Sequence, residues 1–82
     1  MTEIVILLED IDPVNFYGVN NSLLEKIRSF FPKIKIISRG NEIKCIGEEK
    51  EITLFAEKFN ELLDYYHKYQ RIDERDIEKY FF

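Results

Sequence analysis

Few side chains in this sequence could attack a substrate, move a proton or hold a metal: there is one histidine, His67, and one cysteine, Cys45. A general base needs an orienting partner, and a nucleophile needs an activating one. His67 falls on the flank of a helical apolar stripe with no second imidazole to work with, and reads as a solvated surface group. Cys45 takes the inward beat of an alternating strand and reads as a small core hydrophobe. The acids Glu48, Glu49 and Glu51 crowd one helix start, where the positive end of the helix dipole accounts for them. Glycines stand only at 18, 40 and 47, so the G-x-x-x-x-G-K-[ST] cradle for nucleotide phosphates is missing. The expectation is a chain without a catalytic, cofactor or metal site.

Charge is more informative than reactivity. The formal net charge is -4, which argues against strong nucleic-acid binding by the chain as a whole. From Lys26 to Lys44, however, six bases (Lys26, Arg28, Lys33, Lys35, Arg39, Lys44) face one acid, Glu42, for a local +5. From Glu48 onward ten acids outweigh six bases, for a local -4. A basic functional face and ordinary solvated strand edges both account for such a split.

The elements that must position these charges are legible from periodicity. Ile4-Val5-Ile6-Leu7-Leu8 is a continuous aliphatic run and predicts a buried strand, broken by Asp12-Pro13. Phe16-Tyr17-Gly18 predicts a short helical turn opening into a loop. A helix follows, with Asn21 or Ser22 as cap and capping-box spacing from Ser22 to Glu25. Leu23, Leu24, Ile27, Phe30 and Phe31 mark its apolar side, and Pro32 stops it. Lys33–Arg39 and Glu42–Ile46 predict a hairpin across Gly40-Asn41. A long helix begins near Glu48 with Ile52, Phe55, Ala56, Phe59, Leu62, Leu63, Tyr66 and Tyr69 along one stripe. Asp73 caps a last short helix, Glu74–Tyr80, with Ile77 and Phe81 inward. The order β-α-β-β-α-α predicts an α+β domain with helices on one face of a three-stranded sheet.

Eighty-two residues allow a single domain, 1–82, and its composition (45% hydrophobic, 34% charged) is globular rather than disordered. No apolar run is long enough for a membrane span, and the start lacks a basic segment leading into a signal core. With a single cysteine, a reducing cytoplasm is the expected compartment.

The segment Phe16-Tyr17-Gly18-Val19-Asn20-Asn21-Ser22-Leu23, followed by a hairpin and a long helix, resembles the KH core. In that core a GxxG loop between two helices clamps a nucleic-acid backbone beside a groove for unstacked bases. Gly18 matches the first glycine, and Asn21 stands in place of the second, which tolerates the left-handed conformation but obstructs close approach of a phosphate. The resemblance narrows to the N-terminal domain of PhoH-like proteins through Arg39-Gly40-Asn41-Glu42, Gly47-Glu48-Glu49 and the asparagine-rich loop, over about Ile4 to Asp76. It implies a P-loop ATPase domain downstream that would supply ATP and magnesium binding, a cytoplasmic location, and a link to phosphate starvation and RNA metabolism. It also implies weak contact with single-stranded RNA through Gly18, Val19, Asn20, Asn21, Lys26, Arg28, Lys35 and Arg39. The alternatives are a docking or oligomerisation domain of the same ATPase with no RNA contact, and a free-standing regulator. Twelve aromatics are many for one thin core. Tyr65, Tyr69, Tyr80, Phe81 and Phe82 are therefore the expected docking patch for a following domain or a second copy.

Overall fold

The computed structural model describes residues 1–81; Phe82, the last residue of the expected docking patch, lies outside the described residues. The elements in chain order are β1 (Thr2–Leu7), α1 (Pro13–Tyr17), a 3-10 turn (Val19–Asn21), α2 (Ser22–Phe30), β2 (Lys35–Arg39), β3 (Glu42–Gly47), α3 (Glu49–Tyr69) and α4 (Glu74–Phe81).

Each boundary has a local cause. Asp12 caps α1 by accepting the Val14 amide at 3.1 Å, and Pro13 takes the first helical position, where its missing N–H costs nothing. Gly40, at φ 55°, turns the β2–β3 hairpin in the left-handed region. Gln70 ends α3 at φ 57°, its amide donating to the Tyr66 carbonyl at 2.7 Å. Asp73 and Asp76 bond reciprocally at the start of α4: each carboxylate accepts the other residue's amide at 3.0 Å. Such a box satisfies two otherwise orphan donors, as the sequence anticipated for Asp73.

The sheet is antiparallel throughout, in the order β1-β3-β2. Registers place Ile4, Cys45 and Ile36 in one row and Ile6, Ile43 and Ser38 in the next, all on the face toward the helices. Ile43 and Cys45 are completely buried there. Above them α3 packs across β1 and β3, and α4 packs on α2 and α3. The 21-residue α3 spans ~32 Å at 1.5 Å per residue. That matches the longest molecular dimension of 33 Å. The core is aromatic: Phe16 meets Phe59 and Tyr66 edge-on at 5.9 and 5.1 Å, Phe55 stacks on Phe59 at 5.2 Å, and Phe31 meets Phe55 edge-on at 5.2 Å. Such pairs add to the stabilisation from burial itself. The architecture is the α+β arrangement expected, with one helical layer on one side of a three-stranded sheet.

Four local expectations need correction. β1 is not buried on both sides: its burial alternates, and Val5 and Leu7 are 53% and 50% exposed. A single helical layer covers only one sheet face, so the second half of that aliphatic run meets solvent. β2 begins at Lys35 rather than Lys33, because Ile34 donates back to the Phe31 carbonyl and closes a turn around Pro32. The Ser22–Glu25 capping box is not made: Glu25 pairs with Arg28 instead, and Asn21 caps α2 by position without a side-chain bond. Tyr69, assigned to the buried stripe of α3, is 52% exposed where the helix outruns the sheet.

Candidate functional site

The loop Gly18–Asn21 links α1 to α2 and is built by three unusual backbone conformations. Gly18 has φ 80° and ψ -179°, a region essentially confined to glycine. A Cβ there would lie 3.0 Å from Leu23 Cγ and 3.1 Å from Ser22 Oγ, so the position is closed to a side chain on two counts. Asn20 and Asn21 are both left-handed, at φ 55° and 59°, which asparagine tolerates better than most residues. The Asn21 amide donates to the Gly18 carbonyl at 3.1 Å, tightening the turn. Asn21 gives α2 no side-chain cap; the Ser22 amide donates instead to the Val19 carbonyl of the preceding turn. Val19 projects outward at 82% exposure, and a shallow depression of about 290 Å³ lies beside it, lined by Val14, Asn15, Gly18, Val19 and Asn20.

The cations expected to serve this loop are placed elsewhere. Lys26 donates to Glu78 on α4 at 2.7 Å, and this bond holds its ammonium above the usual lysine range. Arg28 spans the gap from α2 to the sheet: its Nη2 donates to the Ile36 carbonyl at 2.9 Å while Nη1 pairs with Glu25. Lys35 and Arg39 lie on the sheet face away from the helices, in rows with Ile46 and Glu42. The structure therefore brings Gly18, Val19, Asn20 and Asn21 together, ties Lys26 and Arg28 into packing contacts, and puts Lys35 and Arg39 on the other side of the sheet.

The aromatic patch divides in two. Tyr65 lies 4.7 Å from Tyr69 and 5.8 Å from Tyr80 between their ring centroids, and the three border an open groove of about 410 Å³ between α3 and α4. Glu61, Asp64, Lys68 and Lys79 complete its walls, and the Lys68 ammonium sits 5.4 Å from the Tyr69 ring centre. Hydrogen bonding to the Asp76 carboxylate raises the Tyr65 phenol above its ordinary range. Phe81 belongs to the other side of α4, packed against Phe30, Phe31 and Phe55 at 6.2, 5.5 and 6.3 Å.

Of the reactive residues, Cys45 is fully buried, and desolvation pushes its thiol up to about 11. His67 is exposed, and its Nε2 donates to the Glu9 carbonyl at 3.0 Å, pinning the turn after β1 to α3. Tyr17, next to the loop glycine, is 4% exposed; its hydroxyl is buried without a hydrogen-bond partner, and burial raises it to about 12. Sequence reasoning missed the uncovered sheet face, where Val5, Leu7, Ile37 and Ile46 alternate with five charges. The alternation of β1 with polar partners on β3 was the available signal. Among the described residues, no helix is long and apolar enough to cross a membrane. Comparison with protein-family models, with curated proteins and with solved structures gives no match for this chain.

Proposed function

We propose that this domain is a noncatalytic binding module that contacts single-stranded RNA weakly through the Gly18–Asn21 loop, in the manner of a degenerate KH loop. The observation that carries the reading is the loop itself. A glycine in a side-chain-free conformation and two left-handed asparagines present backbone at the start of α2, which carries no side-chain cap. Helix N-termini attract phosphate through unpaired amides and the helix dipole. The antiparallel order β1-β3-β2, with two helices between β1 and β2, supports the KH-like reading, and on that resemblance the module precedes a cytoplasmic PhoH-like P-loop ATPase domain that binds ATP and magnesium. Since Lys26 and Arg28 are engaged in ion pairs and the chain is acidic, affinity belongs in the nonspecific range of about 10⁻⁴ to 10⁻⁶ M.

The test is a titration with short RNA oligonucleotides followed by amide shifts at low and moderate salt. Shifts centred on Gly18, Val19, Asn20 and Ser22, weakened by salt and lost in the Asn20→Asp/Asn21→Asp variant, support the clamp. No shift at low salt rejects it.

The second reading, docking without RNA contact, rests on the Tyr65–Tyr69–Tyr80 cluster. Amphipathic rings at an open groove suit a protein partner such as the following ATPase domain. Protection of these three tyrosines in the longer chain, with no RNA shifts in the isolated domain, favours this alternative.

A further inference from the structure

We infer that the free edge of β1 pairs antiparallel with the β1 of a second copy of this chain, joining two three-stranded sheets into one of six strands. The order β1-β3-β2 leaves two edges. Along an antiparallel ladder, residues alternate between those that bond the neighbouring strand and those whose amides and carbonyls point away from it. The Leu8 amide donates to the Asn41 carbonyl at 2.7 Å, and the register sets these two residues opposite each other. Thr2, Ile4 and Ile6 therefore bond β3 as Leu8 does, and Glu3, Val5 and Leu7 turn their backbone groups outward. Among the described residues, no backbone hydrogen bond reaches those six groups.

The β2 edge is guarded. By the same alternation Ile36 and Ser38 turn outward there, but Arg28 Nη2 already donates to the Ile36 carbonyl at 2.9 Å. The Ile34 amide, next along that edge, is taken by the Phe31 carbonyl at 3.1 Å. Lys35 and Arg39 add the charges that discourage pairing at an edge. β1 has none of these devices: no proline, lysine or bulge interrupts it, and four of its six residues are aliphatic.

A second copy of β1 satisfies this edge. A two-fold axis through Val5, perpendicular to the sheet, engages all six outward groups. Val5 exchanges two bonds with the second copy's Val5, and at each end of the contact Glu3 exchanges two with a Leu7 of the other copy. No like charges stand opposite: each Glu3 faces a leucine and lies ~14 Å from the other Glu3, four residues along the strand. Registers centred on Ile4 or Ile6 leave Leu7 or Glu3 without a partner inside β1, and one centred on Glu3 opposes the two carboxylates. Ile4 and Ile6 face the helical layer but are only partly buried at its margin. In the dimer each Ile4 stands opposite the second copy's Ile6 in the closer, non-bonded type of pair, so four isoleucines cover one another. The assembly closes at two copies, because its outer edges are then the guarded β2 strands. A contact one strand wide falls below standard interface size, so the dimer is a weak one.

Amide shifts and hydrogen exchange of the 82-residue chain, followed from ~0.1 to ~2 mM as suits an interface below standard size, test the pairing. The expected result is concentration-dependent shifts and slowed exchange at the amides of Glu3, Val5 and Leu7, with Ile36 and Ser38 unchanged. A mixed sample of labelled and unlabelled chains should give an intermolecular Hα contact between Ile4 and Ile6. Val5→Pro removes the two central donors at an outward position, where an edge strand tolerates proline, and should weaken association at least about tenfold. Val5→Glu keeps every backbone donor and stands beside Lys44 within its own sheet. It opposes two carboxylates across the axis and should also weaken association, less so at ~0.5 M salt. A monomer over the whole range overturns the proposal. Association that both variants leave unchanged, or shifts centred on Tyr65, Tyr69 and Tyr80, overturn it too. None of these outcomes depends on RNA binding at the Gly18–Asn21 loop, which joins α1 to α2 rather than edging the sheet.

Discussion

Lys26 on α2 and Glu78 on α4, 52 residues apart in sequence, meet in a 2.7 Å hydrogen-bonded ion pair. This contact engages the cation nearest in sequence to the Gly18–Asn21 loop and fastens the last helix to the domain. Freeing Lys26 reverses both effects. Glu78→Gln is expected to tighten RNA binding about two- to threefold at low salt, since one phosphate-facing cation is gained and one acid lost. The same variant speeds amide exchange within α4 while the exchange of β3 stays unchanged. Fluorescence anisotropy and native-state hydrogen exchange report the two effects separately. Raising pH loosens α4 without adding RNA affinity, because it neutralises Lys26: Glu78 holds Lys26 above the usual 10.5, so the pair's stabilisation is fully present below 10.5 and is lost as pH rises through the raised value.

Gly18 and Gly40 both have positive φ, but their surroundings differ. Around Gly40 an added Cβ meets nothing within 4 Å, whereas at Gly18 it meets Leu23 and Ser22 at close range. Gly40→Ala should cost about 1 kcal/mol from the left-handed backbone alone. Gly18→Ala should cost about 2–4 kcal/mol, adding the strain of a glycine-only conformation to the clash. Urea denaturation of the two variants measures the difference, and equal losses would remove the close packing of the loop against α2 as its cause.

Tyr17→Phe should leave the domain as stable or raise stability by about 1 kcal/mol. The hydroxyl is buried without a partner, so its removal relieves a desolvation penalty and loses no bond. Thermal denaturation monitored at β1 and α3 checks this. A clear loss of stability would mean that the hydroxyl has a partner, such as a bound water.

Cys45 should resist thiol reagents at neutral pH except through unfolding, its labelling rate tracking the open population across a urea series. The sign of its pH dependence follows from burial. The folded-state value is raised from 9.0 to about 11, so its contribution is fully present below pH 9 and lost as pH rises toward 11. Cys45→Ser should cost about 1–3 kcal/mol, because it puts a hydroxyl where Ile4, Ile36 and Ile43 offer none.

Asp73 gives the opposite sign. The Asp76 amide donating to its carboxylate lowers it below 3.8, so the α4 box is intact above that pH and weakens as pH falls through the depressed value. Nuclear magnetic resonance of Ile77 and Tyr80 during acid titration should show α4 fraying before the sheet. Asp73→Asn, which can still accept the amide bond, should remove most of that pH dependence while keeping the helix.

Much of this molecule is written in its periodicity. Leu23, Leu24 and Ile27 on α2, and Ile52, Phe55, Phe59, Leu62 and Tyr66 on α3, recur at helical spacing and are all buried. Pro13, Pro32 and Gly40 mark the breaks between elements because their backbones admit few alternatives. The Gly18–Asn21 loop was legible for the same reason: its residue types suit left-handed turns. What periodicity leaves open is which faces find a cover. Ile4 and Val5 are equally apolar neighbours, yet one helical layer shields the first and leaves the second in solvent. Nor does spacing tell which distant charges meet. Lys26 and Arg28 read as free cations on α2 until α4 brings Glu78 to one and β2 brings the Ile36 carbonyl to the other. Tyr80 and Phe81 are adjacent in sequence but end on opposite sides of α4, one toward the tyrosine groove and one toward Phe31 and Phe55. Local sequence specifies conformation and side-chain direction, whereas partners and exposure depend on how the elements dock, which involves residues from the whole chain at once.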